Sequence, residues 1–215
     1  MKLLVNYGIY KVGIIILLAS LLICCNDDDE TDDTDFIPEF NAEKIIELRR
    51  EKDKMFRTDE DSPITATERS SFKSLSYFPP DEKYFLPAAF EPFDNPDTIL
   101  IRTNSVSDNR KMLKYGKFTF IISDSSHNLF AYKSLETGEH NLFVPFSDAT
   151  NGSKTYEAGR YLDVEEEPDA NEYILDFNLA YNPYCAYSDK YTCPRPPTEN
   201  RLSISILAGE KKYLR

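Results

Sequence analysis

The sequence is poor in residues that several common chemistries require, with no tryptophan, two histidines and seven glycines among its 215 residues. His127 and His140 each stand alone beside the start of an apolar run, without a partner at metal-site spacing, so we interpret both as surface or turn residues. The glycines form neither a phosphate-binding loop nor a nucleophile elbow. The sequence therefore predicts no metal site, no cofactor and no catalytic triad.

Basic residues are also outnumbered. The chain has 25 lysines and arginines against 37 aspartates and glutamates, a formal net charge of −12. Nucleic-acid binding needs clustered basic residues to neutralise phosphates, so this balance argues against a nucleic-acid partner. A hydrophobic fraction of 41%, with 14 tyrosines and 14 phenylalanines, excludes a wholly disordered chain. One globular domain is the default for this length.

The N-terminus has the pattern of a secretion signal. Lys2 and Lys11 precede an apolar run of 14 residues from Val12 to Cys25. Because a membrane-spanning helix needs about 20 apolar residues, the run predicts a cleaved leader over residues 1–24. A cysteine that ends an apolar segment and precedes a polar chain resembles the bacterial lipobox, in which that cysteine is acylated. The resemblance implies attachment to a membrane through a lipid anchor, with palmitate or a similar acyl group.

Two cysteines compete for lipidation. Cleavage before Cys24 would leave the bulky Ile23 at the preceding position, whereas cleavage before Cys25 leaves the smaller Cys24 there. The lipobox peptidase favours small residues at that position, so we predict lipidation of Cys25. The position before the cleavage site is usually Gly, Ala or Ser, and a cysteine there departs from the pattern. Cys24 therefore remains the alternative acylated residue. An ordinary secretory peptide, with both cysteines in structural disulfides, is the competing interpretation.

Residues 25–40 are predicted to be an acidic tether. Residues 26–35 alone hold seven acids and no base. Such a run repels itself and has nothing to bury, so it should stay extended and solvated. A Ca²⁺ site is the alternative, but consecutive carboxylates without a glycine turn do not preorganise its ligands. The acidic cluster also resembles the export signal of Gram-negative surface lipoproteins, which implies a cell-envelope location at the outer membrane and exposure at the cell surface.

Two short helices are predicted at the start of the domain, which spans residues 41–215. The pattern over Asn41–Arg57 is amphipathic, with Asn41 as its cap and Ile45, Leu48, Met55 and Phe56 near one face. We interpret its charged residues as a solvated face without a binding role. Thr65 to Glu68 form a capping box that opens a second helix, which would carry Phe72 and Leu75 inward.

The remainder of the domain has the composition of strands. Short β-branched and aromatic runs follow one another without intervening helical patterns, which argues against a parallel α/β sheet. We therefore predict a mainly β fold of the α+β class, an antiparallel β-sandwich or barrel-like domain, with a hairpin turn at 124–126. The predicted strands are Tyr84–Phe90, Thr98–Thr103, Phe118–Ile122, Leu129–Tyr132, Leu142–Phe146, Tyr173–Phe177 and Leu202–Leu207.

Cys185 and Cys193 are predicted to form a disulfide, because the leader sends them to an oxidising compartment. Closing so short a loop would stabilise the domain by roughly 2–3 kcal/mol on the chain-entropy model. Zinc is an alternative, but it would need two further ligands that neither a CxxC pair nor a nearby histidine supplies. Use of either thiol in catalysis is a further alternative.

Long polar motifs carry a family resemblance. They read Thr-Tyr-x-x-Gly-Arg-Tyr-Leu-Asp over 155–163, Asp-Phe-Asn-x-Ala-Tyr-Asn-Pro-x-Cys-Ala-Tyr over 176–187 and Pro-Pro-x-Glu-Asn-Arg-Leu over 196–202, with Tyr-Phe-Pro-Pro-Asp upstream at 77–81. These motifs resemble a bacterial family known as domain of unknown function 1684, from about Ile45 to Lys211. The resemblance implies no activity, since the family's name assigns none.

The same segment contains the candidate ligand-binding residues, which are Asp148, Tyr156, Arg160, Asp176, Asn178, Asn182, Glu199 and Asn200. In one interpretation these side chains satisfy buried backbone groups of long loops. In another, Arg160 binds an unknown small molecule or glycan, and tyrosine rings stack against it. A third interpretation is hydrolysis by a carboxylate pair such as Asp148 and Asp176.

A spatial criterion separates these readings. A cleft that gathers Asp148, Arg160 and Asp176 would favour a ligand site, whereas a dry buried network would favour scaffolding. From the sequence we predict a ligand-binding module, with a hydrolase and a structural or interaction protein of the envelope as alternatives. No oligomeric state is predicted.

Overall fold

Two helices precede the sheet in the computed structural model, which describes residues 38–135 and 141–214. Helix α1 spans Ala42–Thr58 and α2 spans Ala66–Ser71. Asn41 caps α1 by accepting the Lys44 N–H, and Thr65 forms the capping box of α2 with Glu68. Both predicted helices are confirmed. Within the described ranges, neither helix has the length and apolar run that a membrane crossing requires.

Several predicted features lie outside the described residues. These are the leader, the lipidation site at Cys25 with its alternative Cys24, the acidic run 26–35 and His140. The other histidine, His127, lies in a strand, with its ring centroid 5.8 Å from that of Phe120.

Helix α1 contacts loops of the domain through both apolar and charged side chains. Ile45 and Phe56 are buried, but Leu48, which was predicted on the same face, is 39% exposed. Arg49 donates to the carbonyls of Phe78 and Asn178 at 2.8 and 2.9 Å. The interpretation of the charged residues as a purely solvated face is therefore wrong for this arginine.

Lys52 and Asp53 also face the rest of the domain. The Lys52 ammonium lies 2.5 Å from a Glu210 carboxylate oxygen, and Asp53 accepts the Leu75 N–H at 2.8 Å. Charged groups can occupy a packed helix face when each finds a partner there. A helical hydrophobic period identifies the helix but not which of its charges are paired in this way.

The sheet contains six antiparallel strands in the order β5-β4-β3-β2-β1-β6. Backbone hydrogen bonds of 2.8 and 2.9 Å between Tyr161, in β5, and Tyr181, shortly after β6, connect its two edges. The result is a nearly closed barrel, which confirms the predicted antiparallel barrel-like fold. The strands are β1 Phe85–Arg102, β2 Asn109–Ile122, β3 Ser125–Ser134, β4 Asn141–Phe146, β5 Arg160–Glu165 and β6 Glu172–Asp176.

Strands β1 and β2 are longer than predicted. The first two predicted strands are parts of one strand, whose pairing with β2 shifts register between Pro92 and Asp97. The β2–β3 hairpin turns at Ser123 and Asp124, which both have positive φ, as in the turns that match the twist of a hairpin. The predicted turn at 124–126 is thus displaced by one residue along the chain.

Two other strand predictions differ from the structure. Strand β5 was not predicted, and Leu202–Leu207, which has the clearest alternation of apolar residues, contains no strand. Leu202 and Ile206 nevertheless point into the barrel core. The apolar alternation of this segment therefore reflects the burial of every second side chain. Its backbone bonds to the side chains of Arg160 and Asp148 instead of to a neighbouring strand.

The barrel core is filled by aliphatic and phenylalanine side chains. Alternate residues of each strand point inward, as strand geometry requires. The C-terminal segment closes the core, because Leu202, Ile206 and Ala208 pack among the strand residues. A second apolar cluster outside the barrel contains Ile101, Met112 and Tyr132.

Candidate functional site

Arg160, the first residue of β5, lies inside the protein with an exposed fraction of 0%. Its Nη2 atom is 2.8 Å from the Asp148 carboxylate, whose side chain is equally buried. Burial lowers the pKa of Arg160, and the nearby Asp148 carboxylate opposes that shift. The pair is a buried ion pair without contact to solvent.

The pair binds the backbone of the C-terminal segment. Arg160 donates to the carbonyls of Ile206 at 2.9 Å, of Glu210 at 3.2 Å and of Ala208. Asp148 accepts the Ile206 N–H at 3.3 Å. These bonds satisfy the polar backbone groups that a strand would satisfy by pairing, which explains why this segment alternates without being a strand.

Gly209 lets the same segment approach the loop after β6. Its φ is +73°, and a Cβ atom at this position would lie 2.5 Å from the Ala180 carbonyl oxygen and 2.8 Å from that of Phe177. Any other residue would therefore combine an unfavourable backbone conformation with a clash. The close approach brings Glu210 beneath α1.

Asp176 and Asn178 tie the loop after β6 to residues upstream of β1. Asp176 accepts the backbone and side-chain N–H groups of Asn178 at 3.0 and 2.8 Å. The amide of Asn178 in turn exchanges two hydrogen bonds with the backbone of Asp81, at 2.9 and 3.0 Å. Burial raises the pKa of Asp176, and the two bonds from Asn178 partly oppose this rise.

Asn182 and Glu210 form a buried cluster under α1. Glu210 is 1% exposed and accepts the Asn182 backbone N–H at 2.8 Å and the Tyr187 hydroxyl. Its other carboxylate oxygen faces Lys52 at 2.5 Å. The Asn182 side chain donates to the Lys211 carbonyl at 2.9 Å. The cluster connects α1, the loop after β6 and the C-terminus.

Asn200 fills a gap between β3 and β4, which share a single register pair at Tyr132 and Phe143. Its amide accepts the Phe130 N–H at 2.7 Å and donates to the carbonyls of Phe130 and Pro145 at 2.8 and 2.7 Å. The Asn200 side chain thus takes the place of missing ladder bonds. It is completely buried.

Glu199, next to Asn200, is partly exposed and binds β2 and β3. It lies 2.8 Å from Lys114 Nζ and accepts the Tyr132 hydroxyl at 3.1 Å. Partial burial would raise the pKa of Glu199, but hydrogen bonds from Lys114 and Tyr132 outweigh it and lower the pKa.

Tyr156 contacts the two C-terminal cysteines. Its hydroxyl lies 3.7 Å from Cys185 Sγ, and the Cys185 N–H donates to Cys193 Sγ at 3.2 Å. Both sulfurs are buried free thiols in this structure. Hydrogen bonds from Cys193 and Tyr156 lower the pKa of Cys185 to about 7, although burial opposes this shift, whereas the pKa of Cys193 is raised.

The eight candidate ligand-binding residues therefore do not gather in one cleft. They occur as separate groups, and six of them bond chiefly to the protein's own backbone or to each other: Asp148 with Arg160, Asp176 with Asn178, and Asn182 and Asn200 singly. Because these residues do not share a cleft and bond within the protein, their arrangement favours a structural role. Any ligand site of this protein would be formed by other residues.

A cleft of about 700 Å³ lies on the outer side of the sheet. Phe143 of β4 and Tyr161 and Asp163 of β5 line it, and they alternate with the core residues Leu142 and Leu162. The other lining residues come from α1, β2, the ends of β3 and β4, and two loops: Lys52, Arg110, Lys111, Met112, Ser134, Asn141, Tyr181, Pro183, Tyr184, Tyr191, Thr192, Cys193 and Pro194.

Aromatic rings pack against one another along the cleft. The Tyr161 ring centroid lies 4.7 Å from that of Phe143 and 5.7 Å from that of Tyr181, both edge to face. The Tyr181 hydroxyl donates to Asp163 at 2.6 Å, and the Tyr161 hydroxyl donates to the Pro194 carbonyl. The phenol groups of these two tyrosines are therefore held in place by hydrogen bonds, which preorganises the wall.

Tyr184 and Tyr191 add a more exposed pair of rings. Their centroids are 5.2 Å apart at an interplanar angle of 65°, and Tyr184 is 41% exposed. An exposed ring with a fixed neighbour is suited to stack against a flat ligand face.

The sequence reasoning missed this cleft. It singled out the neighbouring motif residues, but none of the eight candidates lines the cleft, and its lining residues are scattered from Lys52 to Pro194. The one available signal was the number of tyrosines between 156 and 191. Among the described residues there is also no group of three or more His, Cys, Asp or Glu side chains placed to hold a metal ion.

Comparison with known proteins identifies relatives without a known activity. A family model described as a protein of unknown function, DUF1684, matches residues 70–211. No curated protein matches. The solution NMR structure of an uncharacterized protein of Haloarcula marismortui is similar, with 37% sequence identity, coverage of 79% of this chain and 92% of that chain, and a TM-score of 0.63. Since the family model matches well over half of the sequence, the chain belongs to the DUF1684 family.

Proposed function

We propose that this protein is a binding module that takes a small molecule in the cleft on the outer side of its sheet. The observation that supports this is a concave site of about 700 Å³ whose wall is built from edge-to-face aromatic rings with satisfied hydroxyl groups. Small-molecule sites are typically concave, aromatic and formed in advance, with few polar groups that set the orientation of the ligand.

Binding is better supported than the hydrolytic alternative. The carboxylates suggested for acid and base roles have different partners, since Asp148 is paired with Arg160 and Asp176 with Asn178. Asp148 and Arg160 are also fully buried. A general acid or base must reach the proton that it transfers, and these groups are occupied by structural bonds.

A ligand that occupies the cleft should stabilise the fold. At a free concentration about 100 times its Kd, a ligand that binds only the folded state adds about 2.7 kcal/mol to the free energy of unfolding. Thermal unfolding with a panel of sugars, sugar acids and nucleotides, followed by NMR of the stabilising compounds, measures this effect. Tyr184→Ala should weaken binding about three- to tenfold, because it removes an exposed ring of the cleft.

Leu100→Ala is the matched control, since Leu100 is 64% exposed and does not line the cleft. It should leave the Kd unchanged. Equal weakening by both substitutions would show that the compound adsorbs to exposed apolar groups elsewhere. Resonance shifts confined to residues outside the cleft would contradict the proposed site.

We also propose that the protein is a cell-envelope lipoprotein, acylated at Cys25 and held on the acidic tether. The support is the leader and the lipobox resemblance in the sequence. Mass spectrometry of protein from its native membrane should find a chain that begins at an acylated Cys25. An unmodified Met1, or absence of acyl groups on both Cys24 and Cys25, would contradict it. Proteinase treatment of intact cells then tests surface exposure.

In that compartment we propose that Cys185 and Cys193 form a disulfide, because the Cys185 backbone lies 3.2 Å from the Cys193 sulfur. Formation of the bond takes two electrons and two protons from the thiols, which a small or protein disulfide accepts as it is reduced to two thiols. Thiol titration of the denatured, unreduced protein should find neither sulfur free. Two free thiols would contradict the bridge.

In the reduced protein we expect Cys185 to ionise with a pKa of about 7, below the ordinary value for cysteine. The thiolate absorbance in the ultraviolet, followed against pH, measures this ionisation. Cys193→Ala should raise the pKa of Cys185, because it removes the hydrogen bond that stabilises the thiolate. An unchanged titration in that variant would show that Cys193 does not act on Cys185.

A further inference from the structure

The residues that line the cleft include more basic than acidic side chains, unlike the whole chain. The protein has 37 acidic residues against 25 basic ones, whereas the lining of the cleft contains three basic residues, Lys52, Arg110 and Lys111, and one acidic residue, Asp163. A local excess of positive charge on an acidic protein attracts anions to that place.

Two of these four charged groups make short contacts within the protein. Lys52 lies 2.5 Å from Glu210, and Asp163 accepts the Tyr181 hydroxyl at 2.6 Å. Both interactions belong to the framework that holds α1 and the loop after β6. Neither group is thereby placed to be the main partner of a ligand.

The Arg110 guanidinium is only partly engaged by the protein. Its Nη2 atom donates to Thr192 Oγ1 at 3.2 Å and lies 3.4 Å from Asp108, and both contacts leave the side chain 40% exposed. Among the described residues, Nε and Nη1 of Arg110 have no hydrogen-bond partner. The guanidinium is therefore fixed at the cleft wall through Nη2, which uses one of its two N–H groups for Thr192. The second N–H of Nη2, together with that of Nε or Nη1, can form the fork that binds an oxyanion in a bidentate manner.

We propose that the cleft takes a small ring compound that bears a carboxylate or phosphate group, with the oxyanion on Arg110 and the ring against Tyr184 and Tyr191. This inference rests on the proposed binding function and specifies the ligand class. The fork of arginine matches the planar geometry of a carboxylate or two phosphate oxygens, which a lysine would not match as well. Sugar acids and sugar phosphates share this chemistry.

The test compares three methyl glycosides that differ only in the group at C6: methyl glucoside, methyl glucuronide and methyl glucoside 6-phosphate. Their dissociation constants are measured by protein-observed NMR for the original protein, for Arg110→Gln and for Arg102→Gln. Arg102 is an exposed arginine of β1 that does not line the cleft, so its substitution makes the same change in net charge. Both side chains are accessible, and circular dichroism confirms that both variants are folded.

We expect at least one charged probe to bind about tenfold or more tightly than methyl glucoside, and we expect Arg110→Gln to remove that advantage. Arg102→Gln should retain it. The charged probe that binds the original protein more tightly than methyl glucoside shows whether the site takes a carboxylate or a phosphate.

Other results would overturn the inference. Equal binding of neutral and charged probes, or equal loss in the two variants, excludes an oxyanion site at Arg110 but leaves a neutral ligand in the cleft, so the proposed function stands. If none of the probes binds, the oxyanion inference fails, and the wider panel of the previous subsection decides the proposed function separately.

Discussion

Replacing Arg160 with methionine is expected to lower the free energy of unfolding by about 3–5 kcal/mol, as happens when one partner of a buried ion pair is removed. The substitution leaves the buried Asp148 carboxylate without its cation. It also leaves the carbonyls of Ile206, Ala208 and Glu210 without the guanidinium that binds them. A methionine fills a similar volume, so the loss comes from unpaired polar groups more than from a cavity.

Urea denaturation followed by far-ultraviolet circular dichroism measures this loss. Arg102→Met is the matched control, because Arg102 is exposed, and it should change stability by less than about 0.5 kcal/mol. A double variant, Asp148→Leu with Arg160→Met, should not recover the loss, since the C-terminal carbonyls remain unpaired. Stability of Arg160→Met within about 1 kcal/mol of the original protein would show that these bonds are not needed.

Replacing Asn200 with alanine is expected to cost about 3 kcal/mol or more. Three backbone groups lose their partners, the part-buried N–H and carbonyl of Phe130 and the buried carbonyl of Pro145, and an unsatisfied buried group costs about 1–3 kcal/mol. Because the Asn200 amide stands in for ladder bonds between β3 and β4, hydrogen exchange at the Phe130 amide should accelerate more than exchange in β1.

Asn128→Ala provides the comparison. Asn128 also belongs to β3, but its amide makes an exposed bond to Thr119 at 2.8 Å, so its loss should be below about 1 kcal/mol. Similar losses in Asn128→Ala and Asn200→Ala would contradict a special role for the buried amide. Asn200→Asp should also destabilise, because it keeps one acceptor but loses both donors.

Local patterns predicted the helices and most strands correctly. The caps at Asn41 and Thr65 are properties of a few adjacent residues, so they can be recognised without knowledge of tertiary structure. Leu202–Leu207 was misread because its alternating burial is real, whereas its backbone bonds to Arg160 and Asp148 instead of a neighbouring strand. Periodicity reports which side chains are buried, and it does not report what satisfies the backbone.

The candidate site shows the same limit. The motif residues were recognised as polar groups that could either bind a ligand or satisfy loops, and only the structure shows that Arg160 and Asn200 are buried. The cleft depends on residues as distant along the chain as Lys52, Arg110 and Tyr184. Their approach follows from the curvature of the sheet and the path of the loops, which spacing in the sequence does not encode.

The contact between Lys52 and Glu210 joins the first helix to the segment that follows the last strand of the sheet. Because synthesis runs from the N-terminus, Glu210 is added to the chain after α1 and all six strands. The helix therefore cannot make this contact until residue 210 has been made, and Arg160 cannot bind the carbonyls of Ile206 and Glu210 before those residues are made. Such distant pairings slow folding, because the chain loses entropy before the contacts form.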